Sequence, residues 1–163
     1  MKQQQHLPYF GIGPLYGAAV IALTAAAVFL RKHPALSFGR IPALRIPMAV
    51  LGILLIVTAA ILWTGAVFGA KIDANIRDAR LVTTGVYAFV RNPIYSAILF
   101  ACTGVLLLTG NLCFLVLPVC FWLLLTVLVR QTEERWMREK FGHEFESYCK
   151  RVNRCLLMIP NKR

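Results

Sequence analysis

Three stretches of this chain carry no charge at all, and their lengths leave few folds open. Leu7 to Leu30 runs 24 residues, Ile46 to Ala70 runs 25, and Ile94 to Val129 runs 36, in a chain of 163. At about 1.5 Å of rise per residue, a helix made of either of the first two crosses a hydrocarbon layer about 30 Å thick. The third is too long for one crossing, and Thr109-Gly110-Asn111 interrupts it with turn chemistry. That pattern predicts a tight helical hairpin, Ile94–Leu108 followed by Leu112–Val129. Both arms are short for a span, so the first is expected to start inside the interface or to sit beside a thinned bilayer. A hydrophobic share of 58% and a mean hydropathy of +0.65 agree with the membrane class. Lys2 makes only a feeble basic start, and Pro8, Gly11, Gly13 and Pro14 interrupt the apolar run near its beginning, so the first stretch reads as a retained helix rather than a signal peptide.

The expectation is therefore an all-α integral membrane protein forming one domain over residues 1–163. Spans cover 7–30 and 46–70, a polar loop covers 71–93, the hairpin covers 94–129, and a tail from 130 to 163 carries an amphipathic helix. With four spans, the N-terminus, the 71–93 loop and the tail share one side, which holds fourteen of the eighteen Lys and Arg residues. Arg31, Lys32, Arg40 and Arg45 are left for the other side, a positive-inside bias that puts the loop and tail in the cytoplasm. All seven acids lie on that same side. The net charge of +11 thus follows membrane topology and the attraction of anionic headgroups, and nucleic acid is not an expected partner.

The five cysteines form no CxxC pair and no Cys/His metal spacing, so neither a disulfide nor a metal is expected. Residues 31–45 read as a connector, with His33 a solvated side chain. After Val129, Met137, Phe141, Phe145, Tyr148 and Val152 recur at helical spacing among charges, and Gly142 marks a bend. An interfacial helix accounts for the stripe but not for Glu133-Glu134, carboxylates that need a cation at the membrane surface. Arg130, one turn earlier, is a candidate partner, and so is a ligand.

The run Arg80-Leu-Val-Thr-Thr-Gly-Val-Tyr-Ala-Phe-Val-Arg-Asn-Pro-Ile-Tyr95 is far richer than a junction between spans requires. Asn92-Pro93 breaks the backbone and starts a helix, whose N-terminus offers unpaired N–H groups to an anion. Arg91 strengthens that capture, while Tyr87 and Tyr95 supply aromatic faces for a planar base or a cation. Glu133 or Glu134 is placed to accept from a ribose or to pair with a cationic group. The set suits a zwitterionic ligand with an aromatic base; the competing reading is that Tyr and Arg here are interface anchors.

This run, the hairpin, Glu133-Glu134, Phe141-Gly142, Tyr148 and Lys150-Arg151-Val152 together resemble the isoprenylcysteine carboxyl methyltransferase family and the related phospholipid methyltransferases, over roughly residues 79–160. The resemblance implies an integral-membrane methyltransferase of the short bacterial type, in the inner membrane, using S-adenosylmethionine without a Rossmann domain. Carried over by position, it places the cofactor on Leu81, Val82, Tyr87, Arg91, Asn92, Pro93, Tyr95, Glu133 and Glu134. Asn92 stands where the prenylcysteine enzymes have His; it still hydrogen-bonds but carries no proton near neutrality. The tail reads Val152-Asn-Arg-Cys where a Val-Pro-Arg sequence is common, with Arg154 keeping the cation. Arg91, Asn92 and Arg130 are the candidate catalytic residues, and Arg130, Arg151 and Arg154 the candidate holders of an anionic substrate.

The implied reaction is methyl transfer to a carboxylate, thiol or amine of a lipophilic or lipidated substrate. A non-enzymatic membrane scaffold on the same fold is the alternative. A small multidrug-type carrier is disfavoured because no acid lies within any span.

Overall fold

The computed structural model describes residues 12–69 and 81–157. Expectations for residues 1–11, 70–80 and 158–163, including Lys2, Arg77, Arg80 and the start of the first span at Leu7, lie outside the described residues. Among the described residues, five α-helices follow one another: α1 Gly13–Leu30, α2 Arg45–Gly69, α3 Pro93–Leu108, α4 Val116–Gln131 and α5 Glu133–Arg151. Short 3-10 turns at Pro34–Gly39, Pro42–Leu44, Gly85–Ala88 and Leu112–Leu115 join them, and there is no strand among the described residues. Proline opens α1 and α3 within their first turn, where a missing N–H removes nothing from the helix.

Among the described residues, three segments are long and apolar enough to cross a membrane, Gly13–Leu30, Pro42–Phe68 and Leu112–Gln131. Only 28%, 22% and 22% of their residues are buried by protein, so most of their apolar surface is left for lipid. The hairpin arm α3 has 16 residues, short of a full crossing as its length predicts. Its ends are accordingly covered by protein: the chain after α5 lies on one, and the 31–45 connector on the other.

Helix α3 is the centre of the fold. One side packs with α1 and α4 around Tyr16, Val20, Leu99, Cys102, Leu106, Phe121 and Leu125. Its other side carries α2, the most extensive helix pairing in the molecule. The two backbones nearly touch there: a Cβ on Gly104 would lie 2.6 Å from the Gly52 carbonyl oxygen, and one on Gly52 would lie 2.8 Å from that of Gly104. Small residues at a crossing let helices close on each other where no hydrophobic effect drives them together. On α1, Gly13 and Gly17 also face α3, Gly13 against Tyr95 and Gly17 against Ile98.

The 31–45 connector does more than connect. Asn111, fully buried at the hairpin turn, donates from Nδ2 to the Leu36 carbonyl at 3.0 Å and accepts from the Cys113 N–H at 3.0 Å. Gly39 lies against the same Asn111 side chain with no room for a Cβ. We expect Asn111→Leu to lose about 2–3 kcal/mol by leaving both backbone groups unsatisfied, read as a fall in melting temperature in detergent. A variant as stable as the parent would mean that the connector is not anchored there. His33 is exposed, with Nδ1 accepting from the Ala35 N–H at 3.3 Å.

Candidate functional site

The described part of the polar loop, from Leu81, is held from both flanks. On one flank the Gly85–Ala88 turn seats Val86 against Gly65 of α2, and Val90 is fully buried with Ala59, Leu62 and Ala97. On the other flank the apolar stripe of α5 grips it: Phe145, Tyr148 and Val152 form a small core joined by Leu81, Met137, Phe141 and Cys149. The Tyr148 hydroxyl donates to the Tyr87 carbonyl at 2.6 Å. The stripe therefore binds protein rather than lying wholly on headgroups. Gly142 bends α5 with φ +49°, which lets both halves of the stripe face the same loop.

Two adjacent carboxylates occupy different environments. Glu133 accepts from the Tyr95 hydroxyl, and Tyr95 stands edge-on to Tyr16 with ring centroids 6.1 Å apart. Burial raises the Glu133 carboxyl above the usual range, and the Tyr95 hydrogen bond offsets that only in part. Glu134 is 3% exposed and ringed by guanidinium groups. Arg154 reaches both its oxygens, Nε to Oε1 at 2.6 Å and Nη2 to Oε2 at 2.8 Å. Arg91 adds Nη1 at 3.1 Å and Arg138 adds Nη2 at 3.7 Å. Burial alone would raise the Glu134 carboxyl; the Arg154 hydrogen bond and the charges of Arg91, Arg154 and Arg138 hold it below the usual range.

Arg91 is nearly enclosed, its guanidinium 5.9 Å from the Phe145 ring centroid, with a contact to the Cys149 sulfur and its Nε unpartnered. Asn92 turns its side chain away from the helix it precedes: Nδ2 donates to the Arg154 carbonyl at 3.2 Å and makes no helix cap. Pro93 is buried beneath it, and Leu81, Val82, Tyr87 and Tyr95 are half-buried. Arg130 and Arg151 are exposed, and Arg130 is not the cation that meets the glutamates. It lies on the outward face of α4, whereas Glu134 points inward to Arg91 and Arg154. The structure thus joins Arg91, Asn92, Glu134 and Arg154 in one cluster and pairs Tyr95 with the adjacent Glu133, while Arg130 and Arg151 are exposed and take part in neither. Arg138 had a signal in its i+4 spacing from Glu134 that sequence reasoning missed; Tyr16, far from Tyr95 in sequence, had none.

The segment that carries α2, this loop and both glutamates is also where a family match falls, whereas Phe145, Tyr148, Val152 and Arg154 lie beyond it. A family model described as phospholipid methyltransferase matches residues 43–144, most of the chain. The chain belongs to that family. This family member is also similar to the Protein-S-isoprenylcysteine O-methyltransferase of Schizosaccharomyces pombe, at 36% identity over 87 residues. That stretch is 52% of the chain and 36% of the relative, so the likeness spans little more than a third of the relative's length. No solved structure matches the phospholipid methyltransferase-family chain. Methyl transfer is the family's chemistry, and it requires a methyl donor.

Proposed function

We propose that the protein is an integral-membrane methyltransferase that uses S-adenosylmethionine to methylate a carboxylate, thiol or amine on a lipophilic or lipidated acceptor. Its loop and tail face the cytoplasm of a bacterial inner membrane. The observation that carries the cofactor reading is Glu133, a half-buried carboxylate whose pKa is raised by desolvation and whose hydrogen-bond donor in the structure is Tyr95. A cation placed beside it would favour its ionised form, which suits an ammonium or sulfonium group. Tyr87 and Tyr95 supply the aromatic faces such a ligand would lie against.

When bound, S-adenosylmethionine supplies an electrophilic methyl on a positively charged sulfur. The chain's residues have to hold the acceptor about 3 Å from that carbon, on the side opposite sulfur, and keep water out. A carboxylate acceptor needs no base. The α2–α3 seam is closed by the Gly52–Gly104 contact, so a lipid acceptor would approach along the other helices.

S-adenosylhomocysteine, the demethylated cofactor, should bind the purified protein and raise its melting temperature. A hundredfold excess over the dissociation constant is worth about 2.7 kcal/mol. Glu133→Ala and Tyr87→Ala should weaken that shift, while His33→Ala, on the other side of the membrane, should leave it intact. No shift at saturating ligand counts against the reading, and equal losses in all three variants would sink the site.

A further inference from the structure

Beyond cofactor and acceptor contacts, we propose that Glu134 and Arg154 are positioning residues. They form a clasp between α5 and the chain after it, and that clasp sets the backbone of Arg91 and Asn92 at the mouth of α3. The inference rests on the methyltransferase reading for what the positioned loop does.

Three consecutive carbonyls after α5 accept from the start of α3 and the residues just before it. The Arg91 N–H donates to the Asn153 carbonyl at 2.9 Å and the Asn92 N–H to that of Arg154 at 3.2 Å. Ser96 Oγ donates to the Cys155 carbonyl at 2.8 Å. Asn92 Nδ2 also donates to Arg154, so both donors of Asn92 end on one carbonyl. The segment is pre-shaped for this by Asn153, whose Oδ1 accepts from the N–H groups of Cys155 and Leu156 at 3.1 Å each. Cys155 anchors it further, fully buried in the core shared by α1, α3 and α4.

The Arg154 side chain then ties the same residue to Glu134 through a two-pronged contact, the geometry in which guanidinium and carboxylate hold each other most firmly. Arg91 completes the knot from the loop side at 3.1 Å. Each Glu134 oxygen is already engaged by a guanidinium, so this carboxylate is occupied in holding three segments together. Arg154 is likewise committed: its fork is on Glu134 and its carbonyl on Asn92. A role for Arg154 in gripping an anionic substrate would require it to leave the clasp.

The test combines Arg154→Ala and Arg154→Lys with Lys150→Ala as an exposed control. Two quantities are read: amide hydrogen exchange of the peptide containing Arg91 and Asn92, and S-adenosylhomocysteine binding. Arg154→Ala should speed exchange at those two amides and raise the analogue's Kd roughly tenfold, with millimolar guanidinium restoring both. Arg154→Lys, which keeps the charge but not the fork, should fall between, and Lys150→Ala should match the parent. Weakened binding with unchanged exchange would overturn the proposal, since Arg154 would then act on the ligand directly. Faster exchange with unchanged binding would overturn it too, because the clasp would not set the site. If the parent itself fails to bind the analogue, the proposed function falls, while the exchange arm still decides whether the clasp holds the loop.

Discussion

Gly104→Leu is expected to prevent α2 and α3 from pairing and to leave no monodisperse folded protein in detergent. At this crossing even a single methyl has nowhere to go: the Cβ would stand 2.6 Å from the Gly52 carbonyl oxygen and 2.7 Å from Ile56 Cγ1. The first is backbone, which cannot turn aside as a flexible side chain can. Gly104→Ala should therefore cost about 1–3 kcal/mol by forcing the helices apart, and leucine more. The damage reaches the site, because α2 carries Gly65, the seat of Val86 in the polar loop. Gly85→Ala makes a useful contrast. That residue has φ +63° but open space around it, so the loss should be only about 1–2 kcal/mol of local strain, without loss of helix pairing. Size-exclusion profiles and melting temperatures of the three variants check this. A well-behaved Gly104→Leu protein would show that the two backbones are not in contact.

Glu134→Ala should lose about 3–5 kcal/mol, since it leaves the Arg91 guanidinium enclosed with no counter-charge. The pH dependence gives a second signature. The folded-state pKa of Glu134 is depressed, so its contribution is fully present above the unfolded value, about 4.3, and is lost as pH falls through the folded one. Glu133 behaves oppositely. Its folded-state pKa is raised, so the native state binds the proton more readily; the associated stability is present below the unfolded value and is lost as pH rises through the folded one. Glu134→Ala should thus flatten the acid limb of the stability profile, and Glu133→Gln should remove the decline on its higher-pH side. Denaturation midpoints between about pH 3 and 7 would show both, and an unchanged acid limb in Glu134→Ala would contradict the buried-pair assignment.

Much of the architecture was legible because lipid imposes simple rules. Runs without charge gave the spans, Thr109-Gly110-Asn111 gave the hairpin turn where Gly110 has φ +67°, and Gly142 gave the bend in α5. Which helix touches which was not legible. Glycines such as Gly52 and Gly104 announce a close approach but do not name their partner. The site divided in the same way. The Arg91–Tyr95 run stood out by its chemistry, but Arg130, one turn before Glu133 along the chain, is not the cation that meets the glutamates in space. Asn92 carries an amide whose partner lies 62 residues further on, and local sequence holds no trace of such a pairing.

That separation has a consequence for biogenesis. The carbonyls that receive Arg91, Asn92 and Ser96 belong to residues translated after both arms of the hairpin and after all of α5. During synthesis, the loop must wait with these donors unpaired while the hairpin inserts, so its docking against the tail is a late event. Until residues 153–155 emerge, the Arg91 and Asn92 amides and the Ser96 hydroxyl lack the carbonyls that receive them in the finished fold.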